Sequence, residues 1–201
     1  MQSNKLVNEM KQIYFATKNK GKVNSVNYSL SKYGINVVHY ELELPEPRTY
    51  DLQEIAIGKA KYAYNIIQKP CIAMDAGFFL KAYNGFPRTY VNFALETIGI
   101  KGILKLVEGE NRACEFNDVI AYYDGKESFV LERIVEGSVS LTPRGEKKHF
   151  HWSELCKIFV PKGLDITLGE MDYDYYLKWK ATLKDDTYQR LADMLLKKII
   201  N

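Results

Sequence analysis

The sequence predicts a mixed α/β domain, and three observations support that fold class. The chain opens with a strand–helix–strand order, which favours parallel strand pairing in an α/β layer. Its middle changes to two long segments around an Asp-Gly turn, which is typical of an antiparallel hairpin. Its 201 residues are enough for a full hydrophobic core, and the apolar fraction of 46% is ordinary for a globular protein.

The first half alternates short strands with helices. Residues Gln12–Ala16 form an apolar run, and a helical pattern over Lys22–Tyr33 ends at Gly34, a residue type common at helix ends. A second strand is expected over Asn36–Leu42 and a longer helix over Asp51–Ile67. Further along we expect a strand over Cys71–Met74 that ends at Asp75, a turn over Asn84–Pro87, and helices over Val91–Ile98 and Lys101–Val107.

The second half is dominated by strands. Arg112–Tyr123 and Glu127–Gly137 flank Asp124-Gly125, a strong hairpin signal. A last short strand is expected at Phe159-Val160 and a final amphipathic helix from about Asp186. We therefore predict one domain over residues 1–201, with one lobe over 12–107 plus the C-terminal helix and a second lobe over 112–180.

Composition and charge exclude several classes of protein. The 28 basic and 25 acidic side chains leave a formal net charge of +3, which is small for a dedicated nucleic-acid binder. No apolar run approaches the roughly 18 residues of a membrane helix, and the N-terminus lacks a signal-peptide pattern. The three cysteines are widely spaced and match no zinc or redox motif. We therefore expect a cytoplasmic protein that binds neither a membrane nor a nucleic-acid polymer.

The first stretch with chemical potential is the loop Thr17–Lys22, between the first strand and the first helix. A helix N-terminus presents free backbone N–H groups and a positive dipole end, and three lysines here add positive charge. Phosphate binding and an ordinary solvated helix cap are both compatible with these residues.

Two acids and one lysine form the second candidate group. Asp75 follows a buried strand, where ligands commonly bind in open α/β sheets. Glu46 and Asp75 are suitable ligands for Mg²⁺, which uses one or two carboxylates with phosphates and water. Lys59 lies on the helix between them. Taken singly, each of these residues fits an ordinary surface charge or helix cap better than a functional role.

Aromatic and basic residues in the second half form a third group. Phe150-His151-Trp152-Ser153 places aromatic rings in an irregular segment, where they either stack on a base or fill the core. Lys184 and Arg190 flank the start of the last helix, against the helix dipole. The tyrosines at 173, 175 and 176 are interpreted as packing residues.

In this order, the segments resemble the inosine triphosphate pyrophosphatase family, which hydrolyses non-standard purine nucleoside triphosphates. The resemblance covers residues 13–195 and rests on five motifs. They are A-T-K-N-K-G-K at 16–22, L-P-E at 44–46, E-I-A-I-G-K-A at 54–60, M-D-A-G at 74–77 and N-G-F-P-R-T-Y at 84–90. Five ordered matches are far less expected by chance than any one of them.

The base-binding segments of the family are altered here. Where the family has F-G-[WY]-D-P, this chain has F-H-W-S-E, so Ser153 replaces the aspartate. Lys184 and Arg190 keep the family spacing, but Tyr188 and Gln189 replace the serine and histidine of S-H-R. The resemblance therefore implies triphosphate chemistry more firmly than it implies a base preference.

The resemblance implies a twisted, elongated mixed sheet flanked by helices, two lobes around a central cleft, and a homodimer. It implies Mg²⁺-dependent hydrolysis of ITP, dITP or XTP to the monophosphate and pyrophosphate. Asp75, Lys22 and Lys59 would be catalytic, and Glu46 and Asp75 would hold the metal. The implied triphosphate-binding residues are Thr17, Lys18, Asn19, Lys20, Gly21, Lys22, Lys59 and Ala76. The implied base-binding residues are Phe150, His151, Trp152, Ser153, Lys184, Gln189 and Arg190.

Three alternatives stay open at the level of sequence. The altered base segments are compatible with the same chemistry on a standard dNTP or on a modified or pyrimidine nucleotide. They are also compatible with a nucleotide sensor that no longer hydrolyses. A single-stranded nucleic-acid binder is less favoured, since its only support is a pI of about 8.5 and a 13% aromatic content.

Overall fold

The computed structural model describes residues 12–45, 47–183 and 187–200. In these residues one seven-stranded mixed sheet has helices packed on both of its faces. The strands are β1 (Gln12–Ala16), β2 (Asn36–Tyr40), β3 (Cys71–Leu80), β4 (Pro87–Arg88), β5 (Ala113–Tyr123), β6 (Ser128–Val139) and β7 (Phe159–Pro161). The α-helices are α1 (Lys20–Ser31), α2 (Leu52–Ile67), α3 (Val91–Thr97), α4 (Gly99–Leu106), α5 (Tyr173–Thr182) and α6 (Thr187–Ile200). Short 3₁₀ turns cover Lys81–Tyr83, Glu154–Lys157 and Leu168–Glu170.

The strand order is β2-β1-β3-β5-β6-β7, with β4 paired to β3 beside this path. Strand β1 is parallel to both β2 and β3, because α1 and α2 return the chain across the sheet between them. The remaining pairs are antiparallel, and β5 and β6 are joined by the predicted Asp-Gly hairpin. The predicted mixed α/β sheet with flanking helices is therefore confirmed.

The two faces of the sheet are packed differently. On one face α1 and α6 bury branched side chains, such as Val26, Leu30 and Leu191, against β1, β3 and β5. On the other face α2 packs through small residues. The alanines of this contact are Ala56, Ala60, Ala73 and Ala121. Their small side chains bring α2 close to the sheet, so that a lysine on the same helix face points towards β3.

Strand β3 is longer than the sequence predicted, and this corrects the expected position of Asp75. The strand pairs with β5 without interruption from Cys71 opposite Tyr123 to Leu80 opposite Cys114. Because the whole run forms a ladder with β5, neither Asp75 nor the following glycine ends it. Asp75 therefore lies in the middle of a ten-residue strand rather than beyond its end.

The site is created by the different lengths of β1 and β3. Strand β1 pairs with β3 at Tyr14 and Phe15 and ends at Ala16, whereas β3 continues to Leu80. After Ala16 the chain turns away into α1, so this edge of β3 borders an open space. Asp75 therefore faces a crevice at the end of β1, which has the same effect as the strand-end position that was predicted.

Other differences have local causes. Helix α1 begins at Lys20 because the side chain of Asn19 accepts a hydrogen bond from the Lys22 backbone N–H and caps it. Helix α5 was not predicted, since its tyrosine-rich sequence has little amphipathic pattern; the Asp172 side chain caps its first turn. The predicted start of the last helix near Asp186 lies outside the described residues. Among the helices that the structure describes, none is long and apolar enough to cross a membrane.

Candidate active site

A cleft of about 320 Å³ lies between the end of β1, the N-terminus of α1, helix α2 and the middle of β3. Its lining includes eight of the predicted site residues: Thr17, Lys18, Asn19, Lys22, Lys59, Asp75, Ala76 and Trp152. These residues come from four separate segments of the chain. The full lining carries three lysines against two acids, Glu43 and Asp75, and this excess of positive charge suits an anionic ligand.

The loop between β1 and α1 is held by its own polar side chains. The hydroxyl of Thr17 accepts a hydrogen bond from the Asn19 backbone N–H at 3.1 Å. The carbonyl of Thr17 lies 2.8 Å from Nε2 of His39 on β2, and its backbone N–H donates to Tyr40. The first turn of α1 thus has a fixed position, and the N–H groups of a first helical turn have no partner inside the helix.

Asn19 connects the two sides of the cleft. Its Oδ1 caps α1, while its Nδ2 donates to the carbonyl oxygen of Trp152 at 3.3 Å. Both polar atoms of this amide are therefore engaged within the protein. The structure gives Asn19 the role of positioning the loop against the Trp152 segment, whereas direct phosphate contact stays a prediction.

Lys22 projects from the first turn of α1 across the cleft. Its Nζ donates to the carbonyl oxygen of Met74 at 3.2 Å and lies 5.8 Å from the centre of the Trp152 ring. This places a positive charge beside the residue that precedes Asp75. Lys18 lies at the rim, where it forms an exposed ion pair with Glu43 at 2.8 Å.

Lys59 and Asp75 form a buried ion pair at the base of the cleft. The distance from Nζ to Oδ1 is 2.7 Å, and the two residues are only 5% and 7% exposed. Lys59 reaches this position because it lies on the buried face of α2, next to Ala56 and Ala60. A buried charge is costly to leave unpaired, so each group fixes the orientation of the other.

Of the two predicted metal ligands, Glu46 and Asp75, the structure describes Asp75. Glu46 lies outside the described residues. Among those that are described, no cluster of three or more His, Cys, Asp and Glu side chains is arranged to hold a metal. Mg²⁺ needs fewer protein ligands, since it binds through one or two carboxylates together with phosphate oxygens and water. Asp75 fits that requirement, because Lys59 contacts its Oδ1 and a carboxylate offers a second oxygen.

Lys20, Gly21 and His151 face a neighbouring groove rather than the main cleft. At Gly21 the helix comes close to the Trp152 segment, since a Cβ there would lie 3.0 Å from the carbonyl oxygen of His151. The imidazole of His151 is buried and its Nδ1 accepts a hydrogen bond from the Lys148 N–H at 3.1 Å. Burial, together with the charge of Lys148, lowers the pKa of His151 to about 4, so this ring is neutral.

The structure does not bring Phe150 and Ser153 to the cleft. Phe150 is 5% exposed and packs among the rings of His149, Tyr173 and Tyr176. The hydroxyl of Ser153 accepts a hydrogen bond from the Leu155 N–H and caps a 3₁₀ turn. Of the predicted aromatic segment, Trp152 alone lines the main cleft.

Gln189 and Arg190, two of the predicted C-terminal residues, lie apart from the cleft lining as well. The side chain of Gln189 is exposed and donates to Asp193 one turn later on α6 at 3.1 Å. Arg190 is exposed on the same helix. Lys184 lies outside the described residues. The assignment of these three residues to base binding therefore stays a prediction.

Three polar residues of the cleft were missed by sequence reasoning, namely Glu43, Thr89 and Asn92. The hydroxyl of Thr89 donates to the Thr49 carbonyl at 3.1 Å, which ties this wall to the loop before α2. Thr89 belongs to the N-G-F-P-R-T-Y segment, so its motif was available as a signal. Glu43 and Asn92 reach the cleft only through the packing of separate elements, and no local pattern marks them.

Comparison with known proteins gives a consistent result. The model of the Ham1 family matches residues 13–180. A dITP/XTP pyrophosphatase of Methanopyrus kandleri is 36% identical over 184 residues, which is 90% of this chain and 95% of that protein. A protein of the same name from Thermococcus kodakarensis is 36% identical over 161 residues, covering 80% of this chain and 85% of that one. A HAM1 protein from Coxiella burnetii shares the fold with a TM-score of 0.75 at 21% identity, covering 92% of this chain and 98% of that one.

Proposed function

This chain belongs to the Ham1 family, and on that premise we propose that it is a pyrophosphatase of non-standard purine nucleoside triphosphates. Relatives at 36% identity carry the name dITP/XTP pyrophosphatase. The observation that carries the proposal is the buried Lys59–Asp75 pair in the same cleft as the lysines of the β1–α1 loop. A carboxylate held among lysines suits hydrolysis of a phosphoanhydride.

The proposed reaction is attack of water on the α-phosphorus of ITP, dITP or XTP. A bond forms between the water oxygen and that phosphorus, and the bond to the oxygen bridging the α- and β-phosphates breaks. The products are the nucleoside monophosphate and pyrophosphate. Attack at this phosphorus, rather than at the γ-phosphorus, is what distinguishes the activity from a phosphatase.

The residues of the cleft have complementary parts in this reaction. Asp75 orients the attacking water and accepts its proton, since it is a carboxylate fixed by Lys59. Lys22 and Lys59 stabilise the negative charge that develops on the phosphate oxygens. The β1–α1 loop and Lys18 bind the rest of the triphosphate chain, and the Trp152 ring forms the side of the cleft towards the base.

We propose Mg²⁺ as the cofactor, held by Asp75 and by Glu46. When bound, Mg²⁺ supplies charge neutralisation and orientation of the phosphates. The predicted consequence is a loss of activity with EDTA that added Mg²⁺ restores. Full activity after exhaustive chelation would contradict this part of the proposal.

A nucleotide panel tests the function directly. Purified protein with Mg²⁺ is given ITP, XTP, dITP and the standard NTPs and dNTPs, and pyrophosphate and orthophosphate are measured separately. We expect pyrophosphate release, fastest with ITP, XTP or dITP. Pyrophosphate release with another nucleotide as the best substrate would keep the chemistry and change the role. Tight nucleotide binding without any release of pyrophosphate or orthophosphate would contradict the enzyme proposal and favour a nucleotide sensor.

We also propose a homodimer in the cytoplasm. The exposed aromatic side chains of Tyr50, Phe86, Tyr90 and Phe93 form a continuous surface around one groove, and such surfaces often mark interaction sites. The free, buried cysteines suit a reducing compartment. Sedimentation at micromolar concentration is expected to give twice the mass of the chain, and cell fractionation tests the location.

A further inference from the structure

A second, smaller cavity lies beside Trp152, which also lines the main cleft. The volume of this inner cavity is about 30 Å³, which is room for one water molecule. Its polar walls are Asp118 on β5, Arg133 on β6 and Lys180 on α5. Aromatic walls come from Tyr176 and Trp179. None of these residues belongs to a motif by which the sequence resembles its family.

Asp118 is an unusual group in this cavity. It is 4% exposed and lies directly opposite Arg133 in the β5–β6 ladder, and the Arg133 guanidinium donates to its Oδ2. Its Oδ1 is buried, and within the described residues it has no hydrogen-bond partner. A buried carboxylate oxygen without a donor is costly, and such atoms in a pocket usually meet a ligand or a water. This oxygen is therefore an available acceptor at the wall of the inner cavity.

The position of Asp118 matters because one carboxylate of the family pattern is missing in this chain. The family aspartate after the aromatic pair is Ser153 here, and the Ser153 hydroxyl is used to cap a 3₁₀ turn. That residue brings no charge to the cleft. Asp118 offers a carboxylate on the other side of the same tryptophan, and it comes from a different strand.

We propose that Asp118 and Arg133 are the specificity-determining pair for the base of the nucleotide, an inference that rests on the proposed function. Hypoxanthine and xanthine present an N1–H donor beside a 6-oxo acceptor. Asp118 Oδ1 accepts from N1–H, and the cations of Arg133 and Lys180 face the 6-oxo group. Adenine has an acceptor at N1, so the same approach would set two acceptors against each other and leave the site unpaired.

The inner cavity is smaller than a purine, so the base edge reaches Asp118 only after a side chain moves. Trp152 is the side chain concerned, because its indole lines both cavities and displacement of the ring joins them. Its ring packs edge-on against Phe116, with the ring centres 5.1 Å apart. Binding of a 6-oxo purine is therefore expected to change the fluorescence of the protein.

The experiment compares Asp118→Asn with wild type for binding and for hydrolysis. Equilibrium dialysis measures the affinity for IMP and for AMP, which requires no turnover, and kcat/KM is measured for ITP and ATP. We expect wild type to prefer the 6-oxo member of each pair, and Asp118→Asn to reduce that preference at least tenfold. Asp165→Asn, an exposed residue outside both cavities, serves as the matched control and is expected to keep the wild-type ratio.

A purely structural role of Asp118 would lower both members of a pair by the same factor and leave the ratio unchanged, which would overturn the inference. Equal wild-type affinity for IMP and AMP would also overturn it. If Asp118→Asn does not fold, Arg133→Lys provides the second test, since it keeps the charge beside Asp118 and withdraws the guanidinium donors. Wild type that binds IMP selectively but hydrolyses nothing would refute the proposed function and leave the base preference testable by dialysis.

Discussion

The phosphate side and the base side of the cleft differ in how the predicted residues converge. On the phosphate side, Lys22, Lys59 and Asp75 come from three separate motifs and meet around one space. On the base side, Phe150 is packed in an aromatic cluster and Gln189 bonds to its own helix. The residues predicted to bind phosphate thus converge on one space, whereas Phe150 and Gln189, which were predicted to bind the base, make their contacts within the protein.

A physical reason accounts for this difference. Binding of a triphosphate relies on a helix N-terminus and on ammonium groups, which act over several ångströms and depend on a short, fixed loop. Reading a base edge relies on individual hydrogen bonds, each of which needs one donor and one acceptor at a set distance. Ser153, in place of the family aspartate, therefore removes one group that could bond to the base and leaves the phosphate side unaffected. A carboxylate on another strand, such as Asp118, can make that hydrogen bond to the base instead.

The largest expected effect is on the phosphate side, at Asp75. Asp75→Asn keeps the size of the side chain and removes the proton acceptor, so we expect kcat for pyrophosphate release to fall about 10³-fold. The fold should be retained, as judged by circular dichroism. Asp165→Asn is the control for a remote change of the same kind. Near-normal turnover of Asp75→Asn would show that another group accepts the proton.

Loss of the partner cation is expected to be next in size. Lys59→Met removes one stabilising charge and should lower kcat about 10²-fold. It also leaves Asp75 buried without its partner, so the free energy of unfolding should fall by about 3 kcal/mol. Denaturant titration of the two single variants and of the Lys59→Met/Asp75→Asn double variant measures the coupling. Additive losses would mean that the two side chains are not coupled.

The link between the two sides of the cleft predicts an intermediate effect. Asn19→Ala removes the α1 cap and the hydrogen bond to the Trp152 carbonyl. We expect a loss of about 1 kcal/mol in stability and a drop of about tenfold in kcat/KM from the misplaced loop. Asn65→Ala, an exposed position on α2, controls for the general effect of losing an asparagine. An unchanged kcat/KM would contradict the positioning role of Asn19.

The smallest expected effect on activity is that of pH, which acts on the stability of the fold through His151 rather than on turnover. The pKa of His151 is lowered to about 4 in the folded protein, against about 6.5 for a free histidine, so between these values the unfolded chain binds more protons. Stability should therefore be complete above about pH 7 and fall as the pH drops, by at most about 1.4 kcal/mol per pH unit. Chemical denaturation of wild type and His151→Gln between pH 4.5 and 7.5 measures this slope. The variant should lose it, and equal slopes would assign the pH dependence to other groups.

Several elements were predictable because their signals are local. The limits of β1, the start of β2 at Asn36, the start of α2 after its N-cap residue Asp51 and the hairpin at Asp124-Gly125 each depend on residues within a few positions of one another. The length of β3 was not predictable in the same way, since its continuation past Asp75 depends on ladder pairing with β5, about forty residues away. Helix α5 was missed because tertiary packing, rather than an amphipathic pattern, stabilises it.

The sequence alone determined the α/β class, because this follows from local periodicity and an Asp-Gly turn, and the resemblance of its short contiguous motifs to a known family singled out Lys22, Lys59 and Asp75 as candidate residues. Only the tertiary structure decided that Lys59 and Asp75 lie 2.7 Å apart and that Phe150 is buried. It also decided that an oxygen of Asp118 has no donor within the described residues. Each of these depends on strand register and on how closely a helix approaches the sheet, and both are set by contacts between residues far apart in the chain.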